Sequence, residues 1–319
     1  EVLGHQVAMD GIGVRLVGLS PRFRFDGVTI TDSRDPAQPL RFERLEVQVD
    51  LIRTLFAGYP VIEALHLVGA EMEVNRRADG LWQVRGLEGL IRGDPRPVVR
   101  FLSSGELQIE GGTVRIVDPT WVAQPPPLAE VRLRLVNHAD GHHLDLQARP
   151  LSHPEADSGG NLADARLRIL AHLQGAGLDP EAWSGETYLE LGGADLSALV
   201  PPRLLPEGRL PAVTESARIE VWLDLLDGAL ADLRSRVGLR GLHLSPTALV
   251  AVPDSGPLAG ELGKTLSFDR LTGLARLRPQ GESWTLAVRD LAASIDGVDL
   301  PALDLDLELD RAGRPGPRR

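Results

Sequence analysis

The chain of 319 residues contains no cysteine, which excludes disulfide bonds, thiol nucleophiles and cysteine-ligated metal centres. Lysine is almost missing too, because Lys264 is the only one, and aromatic residues make up only 4% of the chain. No stretch reaches the run of about 18 apolar residues that a membrane-spanning helix needs. The sequence therefore has to build its apolar interior almost entirely from aliphatic side chains.

Basic residues are fewer than acidic residues. The chain carries 34 basic and 45 acidic residues, which gives a formal net charge of −11. Nucleic-acid-binding proteins rely on basic patches that face phosphates, and polybasic modules bind anionic membrane surfaces in a similar way. We therefore expect neither a nucleic-acid partner nor a polybasic membrane contact.

What the sequence does contain is alternation of apolar and polar side chains with a period of two. The alternation runs through residues 45–51, 107–110, 131–135, 219–225 and 303–309. Successive side chains of a strand point to opposite faces of a sheet, so each stretch makes one apolar and one polar face. This pattern predicts an all-β protein of antiparallel strands with a single apolar face.

Turn signals agree with that prediction. Asp140-Gly141, Asp227-Gly228 and Asp296-Gly297 each separate two strand-like stretches, and such dipeptides favour the positive φ angles of tight hairpins. Between Leu65 and Val74 the apolar phase shifts by one residue close to Gly69, which predicts a bulge there.

Helices are scarce in this sequence. Only residues 51–57, before Gly58, and residues 195–199, before Pro201, are expected to form short helical turns. A sheet with one apolar face normally buries that face against another layer. With so little helix, either the sheets pack on each other or the sheet curls into a groove that holds an apolar ligand.

Several short sequence segments, in their order along the chain, resemble one known family. They are the segment from Phe42 to Leu51, the strand Val61 to Ala70, the closing Asp79-Gly80-Leu81-Trp82, the short Asp195 to Leu199, and Gly281 to Val288. This order of strand, helical turn, strand ending in Leu-x-Gly-Ala and hairpin resembles the AsmA-like, YhdP-type family of repeating β-groove envelope proteins. The resemblance covers most of the chain.

The resemblance implies an elongated, curled antiparallel β-sheet that forms a groove. Residues 1–92 would be an AsmA-like amino-terminal β module, and residues 93–319 a central YhdP-type β-groove region continuous with it. The family implies a periplasmic protein of Gram-negative bacteria, anchored to the inner membrane by a helix that lies outside this sequence. Its implied function is transfer of phospholipid between inner and outer membranes, with possible envelope protein partners and no cofactor.

A groove of this kind has a clear physical purpose. Exposing an acyl chain of about fifteen methylenes to water costs roughly 12 kcal/mol at ~0.8 kcal/mol each. An aliphatic lining would remove most of that cost. The candidate lipid-binding residues are the apolar members of the alternating strands: Leu45, Val47, Val49, Leu65, Leu67, Leu107, Ile109, Val131, Leu133, Leu135, Leu144, Leu146, Ile219, Val221, Leu223, Leu225, Leu303, Leu305 and Leu307.

Two motifs superficially suggest metal binding. His138, His142 and His143 surround the Asp140-Gly141 turn, and acidic residues occupy alternate positions from 304 to 310. We interpret the histidines as a solvated hairpin tip. The acidic run has the spacing of one strand face and lacks the glycine of a calcium loop, so it predicts a solvated face and no metal.

Catalytic motifs are missing from the sequence. Ser20, Ser184 and Ser245 lack the glycine pair of a nucleophile elbow, and no paired carboxylates stand out. We therefore expect no enzyme activity and no catalytic residue. Two alternatives to a lipid groove remain at this point: a scaffolding β-domain with self-buried apolar faces, and, less favoured, a carbohydrate-active β-enzyme.

Overall fold

A computed structural model of the chain describes most of the sequence, with gaps. The described residues are 5–32, 35–76, 82–84, 105–119, 124, 126–138, 140–151, 165–175, 182–193, 216–244, 266–281 and 283–309. Their one helix is α1 (Leu51–Ala57). Their strands are β1 (His5–Ala8), β2 (Gly11–Val17), β3 (Ser20–Asp32), β4 (Asp35–Val49), β5 (Ile62–Val68), β6 (Glu71–Arg76), β7 (Trp82–Val84), β8 (Glu106–Val117), β9 (Leu128–His138), β10 (Gly141–Pro150), β11 (Arg166–Gln174), β12 (Ser184–Gly192), β13 (Ser216–Leu226), β14 (Ala229–Leu244), β15 (Leu266–Gln280), β16 (Ser283–Ile295), β17 (Val298–Asp299) and β18 (Leu303–Leu309).

The predicted all-β class is confirmed, and the described part of the chain is almost entirely strand. The strands fall into two compact units. The first comprises residues within 1–120, 127–149 and 169–185, and the second those within 121–126, 150–168 and 186–319. The predicted boundary at residues 92–93 and the predicted helix at 195–199 lie outside the described residues.

In the first unit, most neighbouring strands run antiparallel, as predicted. β2 pairs with β3, β3 with β4 and β4 with β5. β8 departs from this pattern, because it pairs in parallel with both β5 and β6 before pairing antiparallel with β9. The sheet is therefore mixed. Parallel neighbours need a long connection, and about twenty residues separate β7 from β8.

Residues with positive φ mark where the apolar phase changes in the first unit. Gly27 (φ 62°) divides β3, Gly69 (61°) separates β5 from β6, Gly111 (67°) divides β8, and Glu130 (52°) lies within β9. At each of these residues the alternation shifts by one position. The register of β8 with β9 shifts beside Gly111 and Glu130, as at a bulge, whereas β3 and β4 keep one register across Gly27. The phase change at Gly69 is confirmed, but the predicted bulge is not, because β4 keeps one register across it, from Arg44 opposite Val68 to Arg41 opposite Glu71.

Helix α1 forms where the sequence predicts it. The Asp50 carboxylate accepts a hydrogen bond from the Arg53 backbone N–H at 2.9 Å, as an N-cap residue does. Gly58 ends the helix in a left-handed conformation with φ 74°. None of the helix residues is buried, so α1 does not cover the apolar face of the sheet.

The second unit contains a regular antiparallel succession. β13 pairs with β14, β14 with β15, β15 with β16, and β16 with β18. The predicted turns are present: Asp227 and Gly228 have φ angles of 49° and 71°, and Asp296 and Gly297 have 50° and 76°. Two consecutive residues with positive φ make the type I′ turn that fits the twist of a hairpin.

A network of ion pairs covers the polar face of this succession. The buried Asp232 carboxylate accepts from Arg276 Nε at 2.9 Å and from Arg278 Nε at 3.1 Å. Glu220, also buried, accepts from Arg218 and Arg236, at 3.2 Å in each case. Each carboxylate joins neighbouring strands, so the polar face is held together by charge-assisted hydrogen bonds.

We expect Asp232→Asn to destabilise the protein by about 1–3 kcal/mol, because it removes the charge that several arginines share in a buried position. The measurement is the free energy of unfolding in urea. The matched control is Asp299→Asn, which breaks an exposed pair with Arg270 at 3.0 Å. Exposed pairs contribute about 0–1 kcal/mol, so equal losses in the two variants would contradict the prediction.

Candidate functional site

In the first unit, the apolar side chains of six strands align in register. The strand pairings place each member of a row opposite the next, on the same face of the sheet. One row consists of Val14, Phe23, Val47, Leu65, Leu107 and Leu135, and the next of Ile12, Phe25, Leu45, Leu67, Ile109 and Leu133.

The second unit presents a similar face on five strands. Its pairings align two rows of small or aliphatic side chains, interrupted only by one serine. One row consists of Leu223, Leu233, Leu277, Leu286 and Leu307, and the other of Val221, Ser235, Ala275, Val288 and Leu305. We call the aligned rows of each unit its apolar face.

The apolar faces are only partly covered. Among the residues predicted to bind lipid, Leu67, Ile109 and Val131 are buried, Leu303 and Leu305 are exposed, and the rest are half-buried. A closed core would bury its aliphatic side chains almost completely. Half-buried rows of this length are typical of a surface that remains accessible to a ligand.

Most of the predicted residues lie in these rows. Val49 and Leu225 lie beyond register shifts at the ends of their strands. Ile219 faces Val237, and Leu303 faces Leu291. Leu144 and Leu146 lie on β10 and are half-buried. The structure thus brings the predicted residues of each unit largely onto one face.

Several members of the rows were not predicted. Ile12 and Val14 lie on β2, where glycine occupies the neighbouring positions, and Phe23 and Phe25 alternate with arginine on β3. The alternation of arginine and phenylalanine on β3 could have predicted that Phe23 and Phe25 belong to the apolar face. In the second unit, Leu277 was missed although Arg276 and Arg278 flank it, and Leu286 was missed because Ala287 beside it interrupts the alternation of apolar and polar residues.

The opposite face of the first unit is polar, yet part of it is buried. Glu46 and Gln48 are both buried, although they alternate with the apolar residues of β4. Arg22 explains their burial, because its Nε donates to Gln48 Oε1 at 3.0 Å and its Nη1 lies 3.6 Å from Glu46. The alternation correctly predicted that Glu46 and Gln48 lie on the polar face. It did not predict that an arginine side chain would bury them there.

The histidines near the Asp140-Gly141 turn differ from the predicted solvated tip. His138 and His143 are exposed, but His142 is buried and its Nδ1 lies 2.8 Å from Asn137 Oδ1. The ring of His142 also lies 5.0 Å from that of Trp183. The prediction was wrong for His142, because a neighbouring aromatic side chain covers it.

A fourth histidine extends this cluster. The rings of His143 and His172 are 3.8 Å apart, and those of His138 and His143 are 5.6 Å apart. Desolvation, followed by the charges of His172, His138 and His142, lowers the pKa of His143. No group of three potential ligands in the described ranges has an arrangement suited to a metal ion.

The fold and its faces define the class of the protein: a β-protein whose sheets each carry one polar, ion-paired face and one partly open aliphatic face. Residues 1–316 match the family model described as YhdP protein, so the chain belongs to the YhdP family of envelope proteins. Neither the curated proteins nor the solved structures include a match to it. Within the described residues, no helix is long and apolar enough to cross a membrane.

Membership of this family confirms the resemblance carried by the sequence phrases. It is also consistent with a role in lipid transport in the envelope. The apolar faces are relevant to that role because each unit presents rows of mostly aliphatic side chains, with Phe23 and Phe25 in the first unit and Ser235 in the second.

Proposed function

We propose that the apolar faces hold the acyl chains of phospholipids while the protein transfers them across the periplasm between inner and outer membranes. The proposal rests on one observation. In both units, the register of the strand pairs aligns mostly half-buried, mostly aliphatic side chains into rows on one face. In this proposal the protein is not an enzyme. It acts as a surface that replaces water around the acyl chains, and it is anchored to the inner membrane.

The physical advantage of such a surface is large. Moving an acyl chain of about fifteen methylenes through water costs roughly 12 kcal/mol, whereas a chain lying on an aliphatic row keeps most of that surface away from water. Aliphatic rows suit flexible acyl chains, which have no ring plane to stack. The lipid head group would remain in solvent at the open side of the face.

Site-specific photo-crosslinking in cells tests this proposal. Crosslinkers placed in the full-length protein at Val47, Leu133 and Val221, all half-buried on the apolar faces, are expected to yield phospholipid adducts. Matched crosslinkers at Arg134 and Arg236, on the polar faces, should yield few or none. The adducts are identified by mass spectrometry.

Two outcomes of the crosslinking experiment would contradict the proposal. If the apolar positions capture only protein, the apolar faces are covered by protein and the scaffolding alternative is favoured. If polar and apolar positions capture phospholipid equally, the lipid contacts the surface without selecting the apolar rows. Either result contradicts a lipid path along these faces.

A further inference from the structure

One end of the first unit carries an unusual concentration of exposed apolar side chains. On α1, Leu55 is 81% exposed and Phe56 is 85% exposed. Leu51 and Ile52 precede them by one helical turn and are exposed as well. Residues four apart lie on the same side of a helix, so this one helix presents an apolar side to solvent.

The β2–β3 hairpin adds to the same end. Leu16 is 73% exposed and Leu19 is 76% exposed, with Val17 between them. The hairpin turn and the start of α1 lie at the same end of the sheet, because Arg22 of β3 pairs with Gln48 of β4 and α1 begins three residues later, at Leu51. We call the whole set the tip patch: Leu16, Val17, Leu19, Leu51, Ile52, Leu55 and Phe56.

The charge of the tip patch differs from that of the rest of the chain. Residues 16–21 and 51–62 contain no acidic residue, and their one charged side chain is Arg53, whose Nε lies 3.3 Å from the carboxylate of the flanking Asp50. The whole chain carries a net charge of −11, which opposes approach to an anionic lipid surface. The side chains of the tip patch are themselves uncharged, and the one ion pair beside them, Asp50 with Arg53, has no net charge, so this end of the unit does not share the repulsion.

The tip patch also joins the apolar face. Leu16 follows Ile12 and Val14 along the same side of β2, and Val14 lies opposite Phe23 in the aligned rows. Leu16 therefore connects the rows of the first unit to the exposed end. An apolar surface that protrudes from a fold and carries aliphatic and aromatic side chains is suited to shallow insertion between lipid head groups.

We propose that the tip patch inserts into the surface of a phospholipid bilayer and brings the apolar face of the first unit into contact with the acyl chains there. This inference rests on the proposed lipid-transfer function and assigns the place where lipid enters or leaves the first unit. The occupant is a lipid bilayer, and a second copy of the chain or another protein is the competing outcome.

Vesicle flotation tests this inference. The 319-residue chain is mixed with vesicles of phosphatidylethanolamine and phosphatidylglycerol at 3:1, and the fraction that floats is measured with and without 1 M NaCl. We expect the wild-type chain to float in both conditions, since insertion of apolar side chains resists salt. Leu55→Asp/Phe56→Asp and, separately, Leu19→Asp are expected to lower the vesicle-bound to free ratio about tenfold or more.

The matched control is Leu226→Asp/Val298→Asp. These side chains are 61% and 62% exposed at two hairpins of the second unit, so they test whether any exposed apolar residue suffices. The control should float as the wild type does. Circular dichroism confirms that all variants retain their strand content, which is expected because every substituted side chain is exposed.

Three outcomes would overturn the inference: no flotation of the wild type, undiminished flotation of the tip variants, or a change of oligomeric state in those variants without vesicles. The last would assign the patch to a second copy. Failure of the proposed function is recognised separately, by loss of phospholipid adducts at Val221. If the adducts persist while flotation fails, only the tip patch inference is wrong.

Discussion

Leu277→Glu is expected to lower phospholipid capture by a crosslinker at Leu286 about tenfold or more. Leu277 lies in the leucine row of the second unit, between Leu233 and Leu286. A lipid on this face would have to cover the introduced carboxylate, and burial of an unpaired charged or polar group costs more than the 1.4 kcal/mol that corresponds to a tenfold change. The measurement is the yield of lipid adducts from the full-length protein in cells.

The matched control lies on the same strand. Thr272 is half-buried like Leu277 but points to the polar face, opposite Gly238 and Ala292. Thr272→Glu should leave lipid capture at Leu286 close to the wild-type value. Equal losses in the two variants would indicate a general loss of folding, and unchanged capture in Leu277→Glu would exclude the leucine row as a lipid path.

The sequence predicted well which side chains of a strand lie on the same face. Side chains alternate between the two faces of a sheet with a period of two, and this does not depend on which strand is the pairing partner. Leu45 and Val47 could be assigned to one side of β4 without knowing that Leu67 and Leu65 lie opposite. Helix α1 was likewise predictable, because its limits depend on residues within or next to it, such as Gly58.

Pairing partners distant in the chain were not predictable in the same way. The parallel alignment of Leu65 with Leu107 joins strands separated by the β6–β7 hairpin and a long connection, and nothing local to β8 indicates its direction. The rows of the candidate site depend on these pairings. The sequence therefore predicted members of the site, whereas their alignment required the structure.

Phase changes were predictable only where the apolar pattern is dense. At Gly69 the flanking residues Leu67 and Ala70 made the shift visible. At Glu130 the preceding apolar stretch is short, and in β16 the positive φ of Asp290 (52°) interrupts the strand without a glycine. A non-glycine residue in the left-handed region within a strand is uncommon, so no local signal predicted a bulge at either position.

Gly185→Ala is expected to destabilise the protein by more than about 2 kcal/mol. Gly185 has φ 148°, and a Cβ atom at this position would overlap the carbonyl oxygen of His172 and lie 3.0 Å from the Cα of Leu173. An alanine there is strained by its own backbone conformation and by the neighbouring strand, and backbone atoms cannot rotate away as a flexible side chain can. Thermal and urea unfolding measure the loss.

Gly192→Ala provides the comparison within the same strand, β12. A Cβ atom on Gly192 meets no other atom within 4 Å, and its φ is not positive. Replacing glycine by alanine at an unstrained position is neutral or stabilising by up to about 1 kcal/mol. A large loss confined to Gly185→Ala would show that β11 and β12 approach each other too closely for any side chain at this point. Equal stability of the two variants would mean that the strands can separate, and the close approach at Gly185 would then not be required for the fold.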